Sequence, residues 1–485
     1  MIDQFLKLPW ETMLVILLAV IAGLSVLTFT VYLLIQLCLN PVVIPTIVLK
    51  SLRQHALSTI ITAASIGLGC GLLMGVWVMN DQTQREFKNV TGGFDAILGP
   101  RGSPTQLVLN SLFHIDSSPG LISGQDYQNF RDKYQRFYKN AVPIAVGDNY
   151  LGYRIVGTTH DLFAAEHSPG KKYEISVGEY FIQNEKEWAK EAVIGDFVAR
   201  KLGLRLNGQF HPYHGVNYDP AADRQYEQAM EKYRANQAEA KKNGVEFKER
   251  EPEPPYHPDT YRVVGILKPT GTPADRVIWI PIEGLQQMDG HSEDYANDVS
   301  AVLIKLSGNK LATRAFNANR LDAIYNKDTD NLTFVKSPDA VVAQLFERLG
   351  WAEKVLRWVA YLVAVVAAGS VLASIYNSMN ERRREFAILR ALGARRGTVF
   401  SVIVLESATI AAVGAGIGFV VYAGIMTAAE SILRNEIGVT LNPYEPHNVM
   451  AIAPMGLIAL GAVVGIIPAL KAYGTDVAEN LTSQS

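Results

Sequence analysis

Residues 380–394 read Asn380-Glu381-Arg382-Arg383-Arg384-Glu385-Phe386-Ala387-Ile388-Leu389-Arg390-Ala391-Leu392-Gly393-Ala394, a charged stretch set between two long uncharged runs. On one side residues 358–380 carry no charged side chain, and on the other neither do residues 407–429. About 20 helical residues cross a hydrocarbon core, so each run is long enough to span a membrane. The arginine-rich stretch is then the short loop that joins two spans.

Working outward, residues 12–40, 56–80 and 449–470 are also free of charge, which makes five expected spans. A helix apolar on every side must be surrounded by protein or lipid, and five of them exclude an ordinary soluble protein. The run 12–40 is too long for the core of a signal peptide, Lys7 is offset by Asp3 and Glu11, and no small-residue cleavage pattern closes it. It is expected to be an uncleaved helix. Cys38 and Cys70 both fall in these runs, so the polar part of the chain has no disulfide framework. The net charge of −2 carries no information about nucleic acid, and none is expected as a partner.

Short loops rich in Lys and Arg stay in the cytoplasm. Lys50 and Arg53 lie between the first two spans, and Arg382, Arg383, Arg384, Arg390, Arg395 and Arg396 between the third and fourth. The loop between the last two spans instead carries Glu430, Glu436 and Glu445 against Arg434. This alternation places the N-terminus and the long region after residue 80 outside and the C-terminal tail inside.

The outer region is large enough for a core of its own. Alternating segments at 153–157, 261–267, 277–281 and 301–305 predict half-buried strands, whereas 125–134, 197–202 and 338–351 predict helices. Strands and helices mixed without a regular alternation indicate an α+β domain. Between Phe210 and Thr260 the composition shifts: residues 221–242 are rich in Glu, Lys, Gln and Ala, with Tyr226, Met230 and Tyr233 at helical spacing, and a Pro-rich stretch follows. The segment reads as an insertion at a hairpin tip, either a solvated helical arm or a docking element.

His211 and His214 flank one side of that insertion and His257 the other, with Asp219 and Asp259 close by. A hairpin base would bring them together, and histidines with carboxylates suit zinc. The plainer reading is surface histidines in a polar loop, and no metal ligand is assigned. Gly99-Pro100-Arg101-Gly102-Ser103 superficially resembles a phosphate loop but lacks the lysine and hydroxyl that such a loop places after its glycines. Leu107, Val108, Leu109, Leu112 and Phe113 after it are either domain core or a surface for a lipid-like substrate. No nucleophile elbow, zinc-protease motif or framed carboxylate pair is present, so no catalytic residue is assigned.

In the second span Ala63, Gly67, Gly71 and Gly75 recur every fourth residue, and Gly414 and Gly418 repeat the spacing in the fourth. Small residues so spaced let helix backbones approach closely, within one chain or between two. Glu406, at the edge of the fourth span, is expected to pair with a loop arginine. Val48, Leu49, Leu52 and Ala56 are expected to share the apolar face of a helix lying in the membrane surface.

The 380–394 stretch closely resembles the cytoplasmic loop of FtsX/MacB-type ABC transporter permeases, a family that includes the lipoprotein-releasing permeases. Ala192-Val193-Ile194-Gly195-Asp196, Ala199-Arg200-Lys201-Leu202-Gly203-Leu204, the 261–267 strand and Trp279-Ile280-Pro281-Ile282-Glu283 resemble the paired strands of a MacB-like periplasmic domain, and Leu405-Glu406-Ser407 the family's third core helix. The resemblance implies a membrane α-helical bundle, an FtsX-like four-helix core plus one extra N-terminal helix, with a large α+β extracytoplasmic domain. It divides the chain into that extra helix (1–40), an amphipathic cytoplasmic helix (41–56), a span (57–80), the periplasmic domain (81–354) with its insertion (211–258), a span (355–380), the coupling loop (381–399), two spans (400–429 and 449–471) about a short outer loop (430–448), and a cytoplasmic tail (472–485).

By the same resemblance, Glu381, Arg382, Arg383, Arg384, Glu385, Phe386, Leu389, Arg390 and Gly393 meet a separate ABC ATPase subunit, with Phe386 and Leu389 entering its groove. ATP and magnesium belong to that partner, and no cofactor is expected in this chain. The expected setting is the inner membrane, in contact with lipid, as a homodimer or beside a related permease, with a periplasmic adaptor or lipoprotein as a further partner. The work done would be export or extraction of an amphiphilic, lipid-linked or periplasmic substrate. Metal-linked transport and signalling to a cell-wall hydrolase are the alternatives.

Overall fold

The computed structural model describes residues 42–91, 93–182, 190–243, 249–291, 296–327, 331–381 and 383–473. In chain order these form α1 (Val43–Gln54), α2 (Ala56–Thr91), β1 (Ala96–Pro100), α3 (Pro104–Ser111), α4 (Gly124–Tyr134), β2 (Tyr138–Tyr150), β3 (Tyr153–Thr158), α5 (Asp161–Ala164), β4 (Glu166–Ser168), β5 (Lys171–Lys172), β6 (Ile175–Gly178) and β7 (Glu191–Ile194). There follow α6 (Asp196–Leu202), β8 (Gln209–Phe210), α7 (Pro220–Lys242), β9 (Tyr261–Leu267), β10 (Ile278–Pro281), α8 (Ile282–Gln286), β11 (Ala301–Leu306), α9 (Leu311–Lys327), β12 (Leu332–Val335), α10 (Pro338–Glu381), α11 (Arg383–Ala391), α12 (Arg396–Glu436) and α13 (Val449–Tyr473). The chain divides into a helical unit (residues to Asn80, Ala352–Ala428 and from Pro443 on) and a sheet unit (Asp81–Trp351 with Ala429–Asn442).

Among the described residues, four helices are long and apolar enough to cross a membrane: Ala56–Thr91, Gly350–Asn377 within α10, Arg396–Glu436 and Val449–Lys471. The fifth expected span, 12–40, lies outside the described residues. The bundle is held by a cluster that includes Ile66, Val371, Ile375, Met379, Phe386, Ile403, Ile410 and Ala469. Helix α1 buries Ile44 and Val48 against Val402 of α12 and also buries Ser51, while Leu49, and Ala56 at the start of α2, are exposed. That differs from the face expected from the sequence. Positions 44, 48 and 51 fall on one stripe of a 3.6-residue helix, and residue 49 is turned well away from residue 48.

The sheet unit is built on ten strands in the order β12-β1-β11-β2-β3-β10-β7-β9-β6, with β8 paired to β9. The pairs β10–β3 and β7–β9 are parallel and the others antiparallel, a mixed sheet in an α+β domain. Ile278 and Ile280 of β10 and Val302 and Ile304 of β11 face one core with Phe130 of α4, Val198 of α6, Leu285 of α8 and Leu321 of α9. Trp279, Ala301 and Leu303 face the other, with Phe87, Leu107 and Val108 of α3, and Val342. Both faces are covered, so β10 is buried at every position rather than at alternate ones. Leu107, Val108, Leu112 and Phe113 are domain core.

The segment Ala429–Asn442 belongs to this unit. Val439 is fully buried in the second core, and Gly438 packs on Pro273 and Arg276 with a left-handed φ of 84° that favours glycine. Gln82 brackets the segment's end, donating to the Asn442 carbonyl at 2.9 Å and accepting from its N–H at 3.1 Å.

The insertion leaves and returns through adjacent strands, Phe210 of β8 pairing antiparallel with Tyr261 of β9. Residues 211–260 therefore connect two adjacent antiparallel strands. Helix α7 carries Tyr226, Met230 and Tyr233 half-buried, and the Tyr226 ring meets Tyr256 of the returning Pro-rich segment at 5.9 Å.

Candidate functional site

Helix α11 fills the interspan loop. Arg382 lies outside the described residues, and of Glu381, Arg383 and Arg384 only the helical backbone is described. Phe386, expected in a partner's groove, is instead 7% exposed and packed in the bundle cluster, with Ala387 also buried and Leu389 half-buried against the same cluster. The physical reason is helical phase. Phe386 and Leu389 share the face that the spans cover, which leaves Glu385, Ile388 and Leu392 on the other. Ile388 is 44% and Leu392 82% exposed, and these are the apolar residues the loop presents outward. Their spacing from Glu385, three and seven residues on, was readable in the sequence.

Helix α11 ends at Gly393, whose φ of 101° is left-handed. The N–H of Ala394 bonds to the Leu389 carbonyl and that of Gly393 to the Arg390 carbonyl, both at 3.0 Å, a paired closure that terminates a helix sharply. Gly393 is thus the stop that turns the chain into α12. Arg390 is half-exposed on α11. Ser51 of α1 donates a hydrogen bond to the buried Glu406 of α12, so one partner of that carboxylate is a hydroxyl.

The small residues of α2 meet α12 inside this chain. A Cβ on Gly67 would lie 2.9 Å from the Gly414 carbonyl oxygen, and one on Gly71 2.8 Å from that of Gly418. Reciprocally, a Cβ on Gly414 would lie 2.8 Å from the Ala63 carbonyl and one on Gly418 2.7 Å from Cys70 Cβ. Gly75 faces Ile425, and Ala63 is 1% exposed.

The residues singled out around the insertion fall in three places: Asp219 by itself, His211 beside Asp259, and His214 beside His257. Asp219 accepts from the Ala221 N–H at 2.8 Å, at the start of α7. Asp259 accepts from Lys190 at 2.5 Å and from the Asp289 N–H at 2.8 Å. Burial works against its charge, but Lys190 prevails and holds its carboxyl below the usual range. His211 contacts the Asp259 carbonyl oxygen through Nδ1 at 3.1 Å. His257 is no surface histidine: it is fully buried and turned toward Asp148, 1% exposed, and His291. Ligand-type atoms of Asp148, His257 and His291 all lie within 4.8 Å of one another. The His214 ring lies against that of His257, with centroids 3.8 Å apart and planes tilted by 52°.

Asp148 and His291 carry no motif in the sequence. Asp148 is aimed inward by a β-bulge, the β2–β3 register shifting between Val146 and Asp148. His257 is held by its N–H bonding to the Pro212 carbonyl at 2.7 Å across the base of the insertion. His291 follows Gly290, whose φ of 96° turns the chain after α8 so closely that a Cβ there would lie 3.3 Å from His214. Burial disfavours the Asp148 charge, yet the two imidazoles facing it prevail and its carboxyl titrates below the usual range. The Asp148 carboxylate raises the His291 imidazole against a smaller effect of burial, while burial and then His257 lower His214.

Comparison with known proteins agrees with the helical part. Residues 358–477 match the FtsX-like permease C-terminal family. Over 219 residues the chain is 24% identical to the macrolide export ATP-binding/permease protein MacB of Neisseria gonorrhoeae, which covers 43% of this chain and 32% of that protein. MacB of Neisseria meningitidis serogroup A gives the same identity and coverage. The chain thus spans about a third of the length of the curated relatives it matches. Residues 358–477 are an FtsX-like permease C-terminal domain, and the chain, a multi-pass membrane protein, is distantly similar to MacB.

Proposed function

We propose that this chain is the permease subunit of an ABC-type complex and transmits ATP-driven movement of a partner ATPase to its sheet domain. The observation that carries the reading is α11, which is anchored in the bundle by Phe386 and outward-facing through Glu385, Ile388 and Leu392. A short helix fixed in this way to α10 and α12 cannot shift without moving both. The ATPase provides ATP and magnesium chemistry, and no cofactor is needed here.

The proposed setting is the inner membrane, with the basic loops and C-terminal tail in the cytoplasm and the sheet domain outside. Supporting this topology, Val439 buries itself in the core of the sheet domain, so the last outer loop shares that domain's side. One span separates α11 from either segment, which puts it on the opposite side. A second copy or a related permease is the proposed neighbour of α10, where Trp358, Leu362 and Val365 are 73%, 64% and 69% exposed. The movement serves export or extraction of an amphiphilic, lipid-linked or periplasmic substrate.

Reversing charge at Arg384 and Glu385 (Arg384→Glu with Glu385→Lys), or substituting Ile388→Glu with Leu392→Glu, should abolish stimulation of the ATPase by the permease while membrane insertion persists. Unchanged ATPase stimulation in both double variants would refute the coupling role of α11.

A further inference from the structure

We propose that Asp148, His257 and His291 form a binding site for a divalent transition metal of the zinc class, with His214 as the fourth donor. The site lies in the sheet domain and is independent of the coupling reading.

Hydrogen-bond accounting leads to it. His257 Nδ1 lies 2.5 Å from the Asp289 carbonyl oxygen and His291 Nδ1 2.9 Å from that of Leu285. A carbonyl only accepts, so each Nδ1 carries the proton and each Nε2 of the neutral ring presents a lone pair. Those lone pairs point at Asp148: His257 Nε2 is 3.4 Å from Oδ1 and His291 Nε2 3.2 Å from Oδ2. His291 lies off the line of a hydrogen bond, and Oδ2, though enclosed, has no hydrogen-bond partner. With both rings neutral, two Nε2 lone pairs face the Asp148 carboxylate, whose Oδ1 also accepts from the Gly215 N–H at 3.3 Å, and a proton or a metal cation relieves this crowding of acceptors.

The spacing agrees. Four ligands held tetrahedrally at the usual zinc distances of about 2.0–2.2 Å lie roughly 3.3 Å from one another. Imidazoles whose second nitrogen is anchored on a backbone carbonyl are also the usual form of metal-ligating histidine. Two imidazoles with one carboxylate suit a borderline metal such as zinc, cobalt or nickel, and not calcium or magnesium, which take oxygen ligands. His214 is exposed and its ring centroid lies 3.8 Å from that of His257, which makes it the histidine placed to supply the fourth donor.

The ligands come from separate parts of the domain: Asp148 from the β2 bulge, His214 and His257 from the two ends of the insertion, and His291 from the turn after α8. Metal binding would therefore fasten the insertion to the sheet, making the position of α7 metal-dependent.

The test uses the full chain in detergent with an affinity tag free of histidine, titrated with zinc sulfate and separately with cobalt(II) chloride. The expected result is one zinc per chain, a visible tetrahedral cobalt spectrum that zinc abolishes, and affinity lowered roughly tenfold or more by His291→Gln and by Asp148→Asn. Protection of the α7 segment from hydrogen exchange should rise with zinc. No zinc binding by the unmutated chain, or binding unaltered in both variants, overturns the proposal. Should the variants fail to fold, zinc X-ray absorption of the unmutated protein decides: a shell with two imidazoles supports the site, and its absence refutes it.

Discussion

His114 is a liability in acid. It sits after α3 with a left-handed φ of 54°, edge-on to Trp279 at 5.1 Å, and its Nδ1 is enclosed without a hydrogen-bond partner. Burial, and then the Arg154 guanidinium, push its pKa down to about 3 from an ordinary value of 6.5. The unfolded chain therefore binds this proton below about pH 6.5 while the folded chain refuses it until about pH 3. Stability is full above that window and falls as pH is lowered through it. Comparing unfolding temperatures of the detergent-solubilised protein at pH 7.5 and pH 5 should show a drop in the unmutated chain that His114→Gln reduces. Equal drops would show that His114 is not the titrating group.

At the scale of elements, the α2–α12 contact is a close approach of two helix backbones. Carbonyl oxygens of one helix lie under the glycines of the other, so an added side chain meets backbone that cannot rotate aside. Overfilling such a contact costs about 1–3 kcal/mol. Gly71→Val and Gly418→Val should each lower the thermal midpoint of the purified protein, whereas Gly416→Ala, where a Cβ meets nothing within 4 Å, should leave it unchanged. Equal behaviour of all variants would contradict the close approach. The glycine spacing announced this packing, but only the structure shows that the partner is α12 of the same chain. In the same way the sequence marked the interspan stretch as charged with apolar Phe386 and Leu389, yet which of its sides faces the bundle depended on the spans around it.

At the scale of the molecule, the segment Ala429–Asn442 joins a domain that begins some 350 residues earlier in the chain. Val439 is its anchor, and full burial of such a side chain contributes roughly 1.5–3 kcal/mol. Val439→Asp should release the segment and raise protease cleavage near Arg434, while Val420→Asn on the exposed side of α12 should not. Cysteines placed at Lys171 and Asn435 should label from one side of the membrane and a cysteine at Leu392 from the other. Labelling of all three from one side would dismantle the topology.

Hydrophobic runs, basic loops and helical spacing are local properties, which is why the four described spans, α7 and β9 could be read directly from the residues. β2 was missed because Pro143, Gly147 and Asp148 punctuate it, and these mark the bulge that aims Asp148 inward. The histidine cluster was half visible: His257 and His214 flank the insertion, but their carboxylate comes from 109 residues before His257. A constellation of that kind has no period or spacing to betray it. Local chemistry determines which elements form, and only the packing of distant strands and turns decides which side chains meet.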